Sequence, residues 1–585
     1  MHEFKVWAPK SSKVAVLVDG AVVPMEGSSA TGRWKACVES AGHGSRYGFL
    51  LGDDLMPYPD PRSLAQPDGV HGLSEVYDQK RYEWGDGRWQ GPPLTGAILY
   101  ELHIGTFTKD GTFDSAIERL PYLQDLGVTH LEIMPVAEWA GDRGWGYDGV
   151  DLFATTQHYG GADALKRFVD ACHQHCLGVI LDVVYNHFGP VGNYSGKFGP
   201  YLTDRHHTPW GGAINFEDRG SDEVRRFFLD NAMMWMRDFH IDGLRLDAVH
   251  EMMDRSAVHF LEQLSADTAK LSATLERRLL LIAESDLNDP KVIRSIEANG
   301  YGMDAQWSDD FHHSLATIVF TDPGHKGYYD DFGAFESLAK AAQDVFVFDG
   351  QYSKYRNRAH GRPVDNLSAH HFINFLQNHD QIGNRALGDR IHDSIGMEKT
   401  KVGLGLVLMA PMVPMLFMGE EYAASTPFLY FADHEDEAMA KLVSEGRRRE
   451  FADFGFDADE IPNPEDPTSF TRSKLDWSEV EQGIHAEMHA YVRSLIRIRR
   501  RSVCLNDGDR RHMKVTFSDE QRWFRMDRGQ VTVIANLGDE AVEATVSLDH
   551  RLLLCSQAGG GAVSDGRATV PGLTVLIASA EADDA

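Results

Sequence analysis

Four segments of this 585-residue chain end an apolar run on ionisable side chains. Leu181-Asp182-Val-Val-Tyr-Asn-His187 ends on a carboxylate and an imidazole, and Asp242-Gly-Leu-Arg245-Leu-Asp247-Ala-Val-His250 on Arg, Asp and His. Leu281-Ile-Ala-Glu284 ends on Glu, and Phe375-Leu-Gln-Asn-His379-Asp380 on His and Asp. One charge at a strand end is ordinary. Four such ends resist a packing explanation, because an uncompensated buried charge is costly. The chemistry that wants such a set is glycosidic cleavage through an oxocarbenium-like transition state. One carboxylate attacks or stabilises the anomeric carbon, and a second protonates the leaving oxygen. For retention of configuration the two lie about 5 Å apart. Asp247 follows Arg245 by two residues and so shares its strand face; a guanidinium there keeps the aspartate ionised and aimed, as a nucleophile requires. Glu284 leaves the apolar run Leu279 to Ala283, where desolvation raises a carboxyl toward the range of a general acid.

Such groups belong at the C-terminal strand ends of a (β/α)₈ barrel, and the pattern of residues 93–502 predicts one. Strands are expected at Gly96 to Ile104, Val128 to Met134, Leu177 to Val184, Gly243 to Leu246, Leu279 to Ala283, Ala305 to Trp307, Phe372 to Leu376 and Pro414 to Met418. Helical spacing lies between them. Examples are Thr112 to Leu126 behind a Thr cap, Asp163 to Gln174, and Ser221 to Phe239 opened by a Ser cap with Asp222 and Glu223 in its first turn. A loop subdomain is inserted around 188–216. Residues 1–92 read as an immunoglobulin-like β-sandwich, from short runs such as Val14 to Val18 and Tyr47 to Leu51 between Gly, Pro and Asp. A Gly-Pro-Pro break at Gly91 to Pro93 marks the linker. Residues 503–585 return to β, with strands at Lys514 to Phe517, Val531 to Ala535, Ala541 to Leu548 and Leu573 to Ala578, and are expected to form a C-terminal β-sandwich. The fold class is thus α/β, a TIM barrel between two β domains.

The formal net charge of −31 repels phosphate backbones and anionic lipid, so nucleic acid and membrane are excluded as partners. Neutral sugars meet no such penalty. The most apolar stretch, Val402 to Met418, is near membrane length but contains Pro411 and Pro414 and reads as a helix followed by a buried strand. The start Met-His-Glu-Phe-Lys-Val-Trp is not a secretory signal. Five scattered cysteines do not make a disulfide framework and favour a reducing, cytoplasmic setting. Cys172 and Cys176 fall on one face of the helical stretch and His173 and His175 elsewhere, with no second pair at zinc-ligand spacing, so no metal is expected. The glycines near Gly559 follow no strand-to-helix pattern, and no cofactor is expected. A monomer or small homo-oligomer is expected.

The four segments resemble the signature regions of the α-amylase superfamily of glycoside hydrolases. That resemblance implies Asp247 as nucleophile, Glu284 as acid/base, and Asp380 as the carboxylate that binds and distorts the sugar in the −1 subsite. It implies that His187 and His379 donate to sugar hydroxyls, that Tyr147 of Trp145-Gly-Tyr-Asp148 stacks on that sugar, and that Asp182 partners Arg245. Further motifs narrow the match: Tyr58-Pro-Asp-Pro-Arg-Ser-Leu-Ala-Gln-Pro-Asp-Gly-Val-His-Gly72, Met134-Pro-Val-Ala-Glu-Trp-Ala-Gly, Ile282-Ala-Glu-Ser-Asp-Leu-Asn-Asp-Pro290, Asp304-Ala-Gln-Trp-Ser-Asp-Asp-Phe-His-His313 and Gly419-Glu-Glu-Tyr-Ala-Ala-Ser-Thr-Pro-Phe428. These are similar to the malto-oligosyltrehalose trehalohydrolase family. The implied reaction is hydrolysis of the α-1,4 bond next to a terminal trehalose unit of a malto-oligosaccharide. Trehalose then occupies the leaving-group side, with Tyr194, Trp210, His250 and Glu251 as candidate lining residues and Asp148 as a further substrate contact. Two alternatives are a glycogen-branching transferase with the same three carboxylates, against which Gln381 after Asp380 is the one signal, and a catalytically silent carbohydrate-binding protein.

Overall fold

The computed structural model describes residues 1–320, 328–452, 457 and 459–580. At its centre eight parallel strands close into a barrel. They are β1 (Leu99–Leu102), β2 (His130–Ile133), β3 (Gly178–Val183), β4 (Gly243–Leu246), β5 (Leu280–Ala283), β6 (Ala305–Trp307), β7 (Phe372–Asn374) and β8 (Val413–Phe417). Each pairs with the next, and β8 returns to β1. All eight lie at the positions expected, shorter by a residue or more at most ends.

Side chains on a strand alternate between faces, so every second position points to the barrel axis. The lower interior is apolar: Leu99, Ile180, Leu280, Ile282, Ile373, Val413 and Met415 form one buried cluster with Trp307 and Phe375. Further along the strands the same inward stripe turns charged, at Glu101 on β1, Glu132 on β2, Asp182 on β3 and Arg245 on β4, each no more than 4% exposed. The apolar layers thus form the floor on which the charged layer stands.

The helix expected from Ser221 runs Ser221–Asp238, but Ser221 is its first helical residue rather than its cap. Gly220 takes the cap position at φ 84, a left-handed conformation that glycine adopts without a side-chain clash. At Thr112 the expected cap is present, as a reciprocal capping box with Ser115. The helix Gly161–Gln174 stops before Cys176, so Cys172 and Cys176 do not share a helix face as expected. His173 is instead buried between Asp86 and Asp242. Among the described residues no group of three or more His, Cys, Asp and Glu side chains is placed to hold a metal ion, and no helix is long and apolar enough to cross a membrane.

Two antiparallel sheets, of three and four strands, precede the barrel; sheets of five and three strands follow it. The five-stranded one contains Trp523–Arg528 and Arg551–Cys555, and the three-stranded one Ala562–Ser564 and Arg567–Val570, none of them expected from the sequence. After β3 the chain inserts a hairpin, Leu202–Thr208 with Gly211–Ile214. Two buried arginines tie the C-terminal part to the barrel. Arg499, on the helix Gly483–Arg501, donates to the carbonyls of Leu408, Ala410 and Met412. Arg528, on a strand of the five-stranded sheet, donates to those of Met409 and Ala410. These carbonyls lie where the helix Met397–Met409 ends and the chain turns into β8, a place where helical carbonyls lack partners.

Arg499→Met takes the arginine donor from the Leu408 and Met412 carbonyls and leaves Ala410 with Arg528 alone. A loss of roughly 2–5 kcal/mol is expected, measured as a lower denaturant midpoint, while Arg497→Met on the exposed face of the same helix stays within about 0.5 kcal/mol of the parent.

Candidate active site

Asp182 on β3 is the direct register partner of Arg245 on β4, and Leu246 on β4 is the partner of Ala283 on β5. The ladder continues one step past the strand ends. Asp247 donates its amide to Val183, Glu284 donates its amide to Leu246, and the Glu284 carbonyl accepts from Val249. Asp247 and Glu284 therefore stand side by side in one register row, on neighbouring strands that run ~4.8 Å apart, and both point to the axis. Arg245 lies one inward position below Asp247.

The Arg245 side chain is fully buried, with Nη1 2.7 Å from Asp182 and 2.9 Å from Asp247, and Nη2 3.4 Å from Glu284. Its guanidinium lies over the Trp307 ring at 4.2 Å. Asp247 accepts on Oδ1 from Arg245 and on Oδ2 from Asn186 Nδ2 at 2.8 Å, so both oxygens are fixed. Glu284 accepts on Oε2 from the Ala248 amide at 2.6 Å. Ala248 reaches that geometry with φ 38, a conformation that L residues seldom adopt. Burial raises the Glu284 carboxyl above its usual range; Arg245 opposes the rise, while Asp247 and Asp380 add to it. Burial likewise raises Asp182 to about 7 against the pull of Arg245.

His379 and Asp380 open a short helix, His379–Gly383, directly after β7. Asn378 caps it by accepting from the Asp380 and Gln381 amides, and Gln381 closes the capping box onto the Asn378 amide. Gln381 is therefore spent on the cap, a task that Glu performs equally well, which removes its value as a signal against a branching transferase. The His379 ring stacks with Tyr147 at 5.3 Å, with Nε2 2.9 Å from the Tyr147 hydroxyl and 3.5 Å from Asp380. Tyr147 in turn donates to Asp182 at 2.6 Å. Asp380 keeps 46% of its side-chain surface exposed and looks into the barrel mouth.

The structure also gathers several of the other expected residues here. His187 faces the Asn186 side chain and the Tyr147 carbonyl, and its ring lies under the indole of Trp210, stacked at 4.7 Å. Trp210, at the tip of the inserted hairpin, is 50% exposed. His250 and Glu251 occupy the single turn after Ala248, where His250 Nδ1 meets the Asp286 amide at 3.5 Å. Asp148 lines a small surface pocket with Trp139, Arg143 and His434. Tyr194 is placed differently: its hydroxyl meets His71 at 2.7 Å and its ring packs on Tyr58, so it joins the inserted loop to the N-terminal part. Sequence reasoning missed Asn186, which fixes Asp247, together with Trp307 under Arg245 and Glu101 and Glu132 in the inward stripe. The signal for the last two was present, since each is a lone carboxylate inside an apolar strand.

A family model described as "Alpha amylase, catalytic domain" matches residues 76–199, and one described as "Domain of unknown function (DUF3459)" matches residues 508–577. A malto-oligosyltrehalose trehalohydrolase of Mycobacterium tuberculosis (strain CDC 1551 / Oshkosh) is 47% identical over 553 residues, 94% of either chain. A solved structure described as a putative alpha amylase from Salmonella typhimurium superposes with a TM-score of 0.90 at 34% identity, covering 99% of this chain and 97% of its own. A 1,4-alpha-glucan branching enzyme of Pseudoalteromonas atlantica is more distant, 30% identical over 390 residues and 59% of this chain. With a catalytic-domain match, full-length relatives of one kind and the same architecture, the chain belongs to the malto-oligosyltrehalose trehalohydrolase family of α-amylase-type glycoside hydrolases.

Proposed function

We propose that this chain hydrolyses the α-1,4-glucosidic bond next to the terminal trehalose unit of malto-oligosyltrehalose, with retention, releasing trehalose and a shortened malto-oligosaccharide. The observation that carries the mechanism is the shared register row of Asp247 and Glu284, whose strand spacing matches the roughly 5 Å that retention requires. The substrate follows from the name of the full-length relatives.

In this reading Glu284, protonated because it is buried, gives its proton to the glycosidic oxygen as the bond to the leaving trehalose breaks. Asp247 attacks the anomeric carbon from the other face and forms a glycosyl ester. Its two accepted hydrogen bonds hold it in line while Arg245 stabilises the charge. Water then enters and Glu284, now a carboxylate, takes its proton as the ester is cleaved. Asp380, His379 and Tyr147 surround the sugar in the −1 subsite. Trp210 offers an exposed indole as a platform for the leaving side, with His250 and Glu251 in the turn after the neighbouring strand β4, and Asp148 contacts the glucan further out. We read the five unpaired cysteines as fitting a cytoplasmic enzyme, which works as a monomer or small homo-oligomer.

Incubation with malto-oligosyltrehalose is expected to release free trehalose, with the new reducing end first appearing as the α anomer by NMR. Formation of α-1,6 branches from amylose would select a transferase instead, and failure to turn over either substrate would select the silent binding protein. Asp247→Ala and Glu284→Gln are each expected to lower kcat by roughly four orders of magnitude, as for groups acting in the transition state. Trp210→Ala is expected to raise KM about tenfold with a smaller effect on kcat, because a platform binds ground and transition states alike. The pH profile has a defined sign. A carboxyl raised by burial is the active acid at neutral pH, so kcat/KM falls as pH climbs through that raised value. An alkaline limb starting near the ordinary glutamate range would contradict Glu284 as the acid.

A further inference from the structure

We propose that Glu101, at the inner face of β1, is a positioning residue of this hydrolytic site. It aims the His379 ring and, through the fixed polarity of a hydrogen-bond chain, keeps both ring nitrogens as donors. The proposal rests on the hydrolase reading for its catalytic consequence, while the pairing itself can be tested without it.

Glu101 is 1% exposed, and both of its oxygens are committed to one residue. Oε2 accepts the His379 backbone amide at 3.0 Å, and Oε1 pairs with His379 Nδ1. Two bonds from one carboxylate to the backbone and the ring of the same residue leave the imidazole little rotational freedom. On the other side, Nε2 meets the Tyr147 hydroxyl oxygen at 2.9 Å. That hydroxyl has one proton, and it is given to Asp182 Oδ2. Asp182 Oδ2 also receives Arg245 Nη1 at 2.7 Å, so it is an acceptor twice over. A proton taken up by Asp182 has Oδ1 available, which has no hydrogen-bond partner among the described residues. The Tyr147 oxygen must therefore accept from Nε2, and Nε2 must carry a hydrogen. With Nδ1 facing a carboxylate, the ring carries two.

The charges around the ring agree with this polarity. Glu101 and Glu132 face it from β1 and β2, Asp182 from β3, Arg245 from β4 and Asp380 from its own helix. Tyr147 comes from the loop after β2, and the neutral His103 lies nearby. Burial keeps Glu132 protonated, so it adds no charge. Burial opposes a charged His379, but Glu101 and Asp380 outweigh it and lift the ring to about 9. With the ring raised above its ordinary value of 6.5, the stabilisation from this pair is complete below 6.5 and lost as pH rises through about 9. With its two N–H groups directed at Glu101 and at the Tyr147 oxygen, the ring has no acceptor nitrogen to turn toward the −1 sugar, and its orientation and that of Tyr147 are fixed together.

The test is Glu101→Gln in the full chain, which keeps shape and one acceptor but removes the charge. The expected result is an alkaline limb of kcat/KM moved to lower pH by a unit or more, with kcat about 10–100-fold below the parent at pH 8 and much closer to it at pH 5.5. A pH profile superimposable on that of the parent would overturn the proposal. A second measurement needs no turnover: ¹⁵N shifts of labelled histidine, with the His379 signal identified by its loss in His379→Asn. In the parent they should report an imidazolium at pH 7 that titrates near 9. A neutral ring at pH 7 would sink the pairing even if Glu101→Gln failed to fold. Absence of any hydrolysis by the parent would instead strike the functional reading and leave the ¹⁵N result to judge Glu101.

Discussion

One buried guanidinium carries this site. Arg245 has no exposed side-chain surface, and three carboxylates, from β3, from the end of β4 and from the end of β5, lie within 3.4 Å of it. Taking an arginine out of water is expensive, and the cost is recovered only when each partner sits at hydrogen-bonding distance with little freedom to move. The Trp307 ring beneath it adds a cation–π contact on the face that carboxylates do not reach. The same interaction that keeps the charge tolerable also places the carboxyls. Asp182 holds one edge, Asp247 is drawn into line above it, and Glu284 is left at the longest of the three distances. Burial raises the Glu284 carboxyl, as it does that of Asp182, against the pull of the same guanidinium.

That arrangement depends on register more than on any side chain. In a parallel barrel a residue's level is fixed by the strand ladder, and a slip of one residue would turn Arg245 and Asp247 outward together. The apolar layers below, from Ile180, Leu280, Ile373 and Val413, fix that register because they must face the axis. The charged layer above can then be assembled without being individually stable. Stability is invested in the floor, and the strained or costly features sit at the rim: the positive φ of Ala248, the four buried carboxyls and the buried imidazolium. Burial of Glu284 is what raises its carboxyl, since an exposed one would lose its proton in the ordinary glutamate range.

Much of this was legible in the sequence because its two main signals are local. A continuous apolar run marks a strand buried on both faces, and a charge at its end marks the mouth of the barrel; hence the eight strands and the segments carrying Asp247, Glu284 and Asp380. What was not legible depends on contacts between distant segments. Trp523–Arg528 alternates buried and half-buried positions and carries two arginines and an aspartate, so its composition hides a strand that its neighbours make. Ser221 is the expected cap because serine prefers that position, yet Gly220 takes it at φ 84, an angle open to glycine. Tyr194 and Trp210 were equivalent in sequence, two aromatics in one loop. Only the fold separates them, sending one against Tyr58 and the other over His187.

Glu101 and Glu132 show where the same local signal runs out. Both are carboxylates inside four-residue apolar strands and occupy the same register row on adjacent strands, Glu101 opposite Glu132. Sequence gives them identical claims to a function. Their environments divide them: Glu101 has an imidazole ring and an amide to accept from, whereas Glu132 has an oxygen with no partner among the described residues and stays protonated. Two like carboxyls side by side in a low-dielectric interior cannot both be charged, and the one with a proton donor beside it takes the charge. The role of a buried carboxylate here is thus decided by the side chain that reaches it, for Glu101 the ring that follows β7, two strands along the barrel. The His379–Tyr147–Asp182 chain extends that decision to Arg245, and so to Asp247 and Glu284.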